Sequence, residues 1–286
     1  MPTAGAASRV GDALSAAVDA LRAAGVENAR LDAELLLAEA SGRDPAELAA
    51  DPAASLASGA ARSFAEMVRR RLRREPVAYI TGRKGFRRIE LAVDRRVLIP
   101  RPETELLVEV ALELPSQLIA DVGTGSGAVA LAIADERSET KVVATDTSAG
   151  ALDVARENAR RLGLTERVRF ERGSLPPPGH YELLVANLPY VRVDEWSRLA
   201  PEIREHEPRG ALVAGPTGLE TIAELLGSLA PAGVALDAIA LEVGAGQSEA
   251  VAGLVRRAGF ERTGRRSDLA GIDRVVTGFR VARSRA

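Results

Sequence analysis

The chain has no cysteine. Disulfides, thiolate zinc sites and cysteine nucleophiles are therefore excluded at once. Histidine is nearly absent as well: His180 and His206 stand alone, and a metal centre needs several convergent ligands, so no metal is expected. Aromatic residues make up only 3% of the chain, which leaves a core to be built mostly from Ala, Leu and Val. The net charge is −2, without the basic excess of a dedicated nucleic-acid binder. No apolar run approaches membrane-spanning length, and Met1 to Gly11 lacks the charged and apolar regions of a signal peptide. The protein is expected in the cytoplasm, away from membranes, with a monomer as the default.

What is present divides into three stretches. A chain of 286 residues is long enough for one well-packed α/β domain and a smaller companion. Residues 1–75 read as a small Ala-rich helical domain, broken at Gly25, Ser41-Gly42, Asp51-Pro52 and Ser58-Gly59. Within it Leu31–Ala38 and Phe64–Leu72 are amphipathic, and Pro76 is expected to stop the last helix. Residues 76–100 read as a linker and β-hairpin, with Phe86–Val93 and Val97–Ile99 as arms around Asp94-Arg95-Arg96. Residues 101–286 alternate helical stretches with short β-branched runs at Leu118–Asp121, Lys141–Thr145, Val168–Glu171, Leu183–Ala186 and Ala238–Val243. That alternation predicts a parallel sheet with helices on both faces, closed by an antiparallel hairpin, Phe260–Thr263 with Arg274–Phe279.

Two motifs carry chemistry. In Asp121-Val122-Gly123-Thr124-Gly125-Ser126-Gly127 a short strand meets the start of a helix. Glycines there allow positive φ and close backbone approach, and the helix start offers free amides to a nucleotide-like cofactor. The next strand ends about twenty residues further on at Asp146, where a carboxylate can accept from ribose hydroxyls. The D-x-G-x-G-x-G spacing favours S-adenosylmethionine over a dinucleotide, whose sites more often read G-x-G-x-x-G.

The second motif is Asn187-Leu188-Pro189-Tyr190, after an apolar strand. Asn187 Oδ1 and the Leu188 carbonyl are placed to accept hydrogens from a planar NH2 group, orienting a poorly nucleophilic nitrogen toward a methyl donor. Pro189 stiffens the loop, and Tyr190 is expected to stack on the acceptor. The plainer reading is an Asn-Pro turn with Tyr190 in the core; the upstream glycine motif weighs against it. The run Arg69-Arg70-Arg71-Leu72-Arg73-Arg74 reads as a solvated helix face.

The chain resembles the PrmC/HemK family of protein-(glutamine-N5) methyltransferases that modify peptide-chain release factors. Besides the two motifs, the resemblance lies in Glu75-Pro76-Val77-Ala78-Tyr79-Ile80-Thr81-Gly82, in Ile99-Pro100-Arg101-Pro102-Glu103-Thr104-Glu105, in Leu241-Glu242-Val243-Gly244 and in Asp268-Leu269-Ala270-Gly271-Ile272-Asp273-Arg274. The I-P-R-P-E-T-E block is the most specific of these. The resemblance implies a class I, Rossmann-like S-adenosylmethionine-dependent methyltransferase domain joined by a β-hairpin to the helical domain. It implies cofactor contacts from Gly123, Thr124, Gly125, Ser126, Gly127, Asp146, Ser174 and Asn187. Asn187, Leu188, Pro189 and Tyr190 would hold the glutamine of a release factor's Gly-Gly-Gln loop, with Asn187 and Tyr190 as the catalytic pair. The family's usual tetrapeptide is Asn-Pro-Pro-Tyr, and this chain has Leu188 at its second position. Asn-Leu-Pro-Tyr resembles the loop of rRNA adenine dimethyltransferases, so adenine-N6 methylation of RNA or DNA is the alternative.

Overall fold

A computed structural model describes residues 9–281. The chain forms two compact units: the first runs to Gly82 and takes in Ala200–His206, and the second comprises Arg83–Leu199 and resumes at Glu207. The short helix that follows Pro76 thus falls within the first unit.

The first unit contains α1 (Val10–Ala23), α2 (Ala29–Ser41), α3 (Pro45–Ala50), α4 (Ser58–Leu72) and α5 (Val77–Thr81). It also holds Pro201–His206, which is α9 in chain order. Asp44 caps α3, accepting from the amide of Ala46 at 2.7 Å, with Pro45 pre-set for the first turn. Leu21, Leu36, Leu37, Phe64 and Ile80 make the core. Pro76 does not stop the preceding helix as expected. The helix α4 ends at Leu72, Arg74 takes a left-handed φ of 63°, and Pro76 caps the start of α5.

The arginine run is only in part a solvated face: Arg69 and Arg73 are exposed, whereas Arg70, Arg71 and Arg74 turn inward. Arg71 is 6% exposed and holds Asp32 at 2.7 Å and Glu202 at 2.8 Å. Arg74 also reaches Glu202, and Arg70 clasps Glu75. These positive charges are spent inside the unit.

The second unit opens with a hairpin of β1 (Arg83–Phe86) and β2 (Ile89–Ala92), turning at Arg87-Arg88. The expected arms are shifted: Val97 and Ile99 are buried but lie outside any strand. Arg87 accepts its left-handed φ of 50° while tied by its amide to Glu105 and by its guanidinium to Glu136. Next come α6 (Thr104–Glu113), β3 (Leu118–Val122), α7 (Ala128–Glu136), β4 (Lys141–Asp146), α8 (Ala149–Leu162), β5 (Val168–Arg172) and β6 (Gly179–Ala186). A small two-stranded pair, β7 (Val191–Arg192) with β8 (Val213–Gly215), follows. The unit ends with α10 (Glu220–Ser228), β9 (Val234–Glu242), α11 (Ser248–Arg257), β10 (Arg262–Ser267) and β11 (Asp273–Phe279).

Seven strands form one sheet in the order β10-β11-β9-β6-β3-β4-β5. Strands β3, β4, β5, β6 and β9 run parallel, as the alternation of short β-branched runs with helices predicts, and β11 and β10 close the edge antiparallel. Helix α7 is buried along Ala128–Ala134, because small apolar residues occupy every side of it. The chain moves outward from β3 through β4 to β5, then returns to the other side of β3 for β6. That reversal opens a crevice at the carboxyl ends of β3 and β6, where open α/β sheets take their ligands.

Candidate active site

A cavity of about 450 Å³ occupies that crevice. Of the expected residues it is lined by Gly123 and Gly125 from the loop after β3, Asp146 at the end of β4, Ser174 beyond β5, and Asn187, Leu188 and Pro189 after β6. Gly123 has a φ of 75°, and a Cβ there would stand 2.9 Å from Leu188 Cδ2, so only glycine lets the two loops close on each other. Leu188 is buried in the main core, its side chain filling the space against Gly123.

Asp146 faces the glycine turn. Its two oxygens accept from the amides of Gly125 at 2.9 Å and Ser148 at 2.8 Å. A carboxylate offers about four lone-pair sites, so acceptor capacity remains toward the cavity. A ribose diol needs just such acceptors. The glycine turn, the acid and the roomy crevice therefore fit a nucleoside-bearing methyl donor.

Thr124, Ser126 and Gly127 lie behind the wall rather than on it. The Thr124 hydroxyl donates to Asp121 at 2.6 Å, and the Ser126 carbonyl accepts from Asn158 Nδ2 at 2.9 Å. Gly127 caps the start of α7. Burial pushes the carboxyl of Asp121 up to about 7.

Asn187 is fixed at its amino end, where Nδ2 donates to Thr104 Oγ1 at 3.0 Å. The Thr104 hydroxyl in turn hydrogen-bonds the carboxyl of Glu242. Glu242 is 1% exposed, its Oε2 has no partner, and burial raises its carboxyl to about 7. Tyr190 stands apart from the cavity lining. Its ring packs on Gly244, where a Cβ would meet Tyr190 Cδ2 at 3.0 Å, and burial pushes the phenol up to about 12. Its carbonyl accepts from Gln247 Nε2 at 3.0 Å.

In the sequence Thr104 stood out only as a member of Arg101-Pro102-Glu103-Thr104-Glu105, a segment expected to start a helix and shape the cofactor pocket, and Glu242 did not stand out as a site residue. The signal was there: a single acid at the end of the apolar run Ala238–Val243 has to be buried with the strand. Among the described residues no group of three or more His, Asp or Glu is placed to hold a metal, and no helix is long and apolar enough to cross a membrane.

A mostly parallel seven-stranded sheet, with a glycine turn after its first parallel strand in chain order and an acid ending the next, defines a class I methyltransferase fold. The hMettl16 catalytic domain, solved in complex with MAT2A 3'UTR hairpin 1, shares it with a TM-score of 0.55 over 67% of this chain and 75% of that one. At 12% identity the likeness extends to the fold alone. Residues 12–82 match the PrmC N-terminal domain and residues 102–203 the methyltransferase small domain. The release factor glutamine methyltransferase of Caulobacter vibrioides is 40% identical over 279 residues, covering 94% of this chain and 95% of that protein. That of Cereibacter sphaeroides is 41% identical over 275 residues, covering 94% and 98%. The chain belongs to the release factor glutamine methyltransferase family.

Proposed function

We propose that this protein methylates the side-chain amide nitrogen, N5, of the glutamine in the Gly-Gly-Gln motif of peptide-chain release factors, with S-adenosylmethionine as donor. The reading is carried by one juxtaposition, in which the glycine turn and Asp146 share a single cavity with Asn187. It is supported by near full-length similarity to proteins named for this activity.

Bound S-adenosylmethionine supplies an electrophilic methyl carbon on a sulfonium, which departs as the thioether. Asp146 would hold the ribose, Gly123 and Gly125 would admit the methionine end, and Ser174 would face the adenine. The acceptor needs more help, because an amide nitrogen shares its lone pair with the carbonyl. Asn187 Oδ1 and the Leu188 carbonyl each accept one N–H hydrogen, holding the lone pair in line with the methyl group. The same acceptors stabilise the positive charge that nitrogen gains as the C–N bond forms. No strong base is required, because the N-methylated cation gives its extra proton to water readily. Tyr190, packed on Gly244, would brace the loop.

The test is label transfer from a radiolabelled donor to purified release factor or to RNA. Label on the Gly-Gly-Gln glutamine is expected, located by peptide mass spectrometry. Label in RNA, or none in either, would overturn the reading. Asn187→Ala should lower turnover by roughly 100- to 1000-fold, with the dissociation constant for the donor little changed by calorimetry.

A further inference from the structure

Thr104 sits between two groups that decide what its single proton does. It is buried, opening α6, with Asn187 Nδ2 3.0 Å from its oxygen on one side and the Glu242 carboxyl on the other. The cations near Glu242 are committed elsewhere: Arg101 to Glu207 at 2.6 Å and Arg274 to Asp268 at 2.9 Å. In its ionised form, which prevails above about pH 7, Glu242 has no hydrogen to offer, so it takes the hydroxyl proton. The oxygen of Thr104 can then only accept from the other side. A carboxamide meets an acceptor with its NH2 end alone, which leaves Oδ1 as the free end of Asn187.

We infer that Thr104 and Glu242 are positioning residues that set the polarity of the Asn187 carboxamide, so that it presents an acceptor and not a donor to the substrate nitrogen. The inference rests on the function proposed above, since an NH2 substrate needs acceptors. A carboxamide turned over would set N–H against N–H and lose both orientation and charge stabilisation. The specific I-P-R-P-E-T-E block thereby gains a task beyond starting a helix.

The experiment compares Thr104→Val, Thr104→Ser and Glu242→Gln in the full chain with release factor and labelled donor. Thr104→Val keeps the shape and removes the relay: kcat should fall roughly 10- to 100-fold, with donor affinity unchanged. Thr104→Ser restores the hydroxyl and should bring kcat back to within about twofold of the parent, a rescue that bulk packing would not produce. Glu242→Gln can donate as well as accept, so it should lose several-fold in kcat, and it decides the matter if the valine variant does not fold. Parental kcat in Thr104→Val, or in Glu242→Gln if that one is decisive, overturns the inference while the function stands. A parent chain that leaves the release factor unlabelled removes both.

Discussion

Acids are handled differently at two places in the molecule, the Arg71 clasp of the helical unit and the back of the cavity in the sheet unit. In the helical unit Asp32 and Glu202 both meet the Arg71 guanidinium, at 2.7 and 2.8 Å. In the sheet unit Asp121 and Glu242 are each 1% exposed and are met by threonine hydroxyls instead. Burial lifts both of these carboxyls to about 7. The clasp around Arg71 satisfies charge with charge and serves packing. The threonine-bound acids lower stability when ionised, and both stand directly behind the walls of the cavity. Perturbed acids beside a crevice are a mark of function, whereas paired ones are more often structural.

The comparison can be broken most forcefully at Arg71. Arg71→Ala leaves Asp32 without its guanidinium and Glu202 with Arg74 alone, and about 3–5 kcal/mol of stability should be lost, read from urea unfolding. A loss under about 1 kcal/mol would show that the clasp is ornamental.

Glu242→Gln should move stability the other way. In the unfolded chain this carboxyl ionises near 4.5, but in the fold only near 7. Folding therefore takes up a proton between those values, and stability falls as pH rises through that window. Above it the buried charge costs roughly 3 kcal/mol. The glutamine variant should gain on the parent at pH 8 and show little of that gain near pH 4, by about the same energy. Equal gaps at both pH values would contradict a buried ionisation at this position.

The smallest effect is expected at Thr124→Val. Losing the 2.6 Å bond to Asp121 should cost about 1 kcal/mol at pH 8. Because that bond favours the ionised acid, the cost should shrink as pH falls through Asp121's own titration near 7. A pH-independent cost would point to lost packing.

Much of the sheet was legible in the sequence, because strands buried on both faces read as short β-branched runs between helical stretches. The glycine turn was legible too, since close backbone approach leaves glycine as the residue that fits. Other features were hidden by contacts that local pattern does not encode. Val97 and Ile99 carry the apolar signature of a strand because they are buried, yet the Ile99 amide bonds the Glu207 side chain and not a ladder partner. The arginines of α4 look solvated until Asp32 and Glu202 arrive from distant parts of the chain. Pro76 forbids a helix before it, but equally suits the start of α5. Thr104 resembles any residue of a helix start, and its partners come from the ends of β6 and β9.

Asn158 binds separate pieces of the second unit into one. Its carboxamide, fully buried on α8, grips the backbone of Ala92 with both ends and the Ser126 carbonyl with its amino group. The hairpin and the glycine turn are thus riveted through one side chain. For the donor proposed above, exchange of spent for fresh would then draw its freedom from other lining residues, among them Pro208, Gly210, Ala211 and Val213.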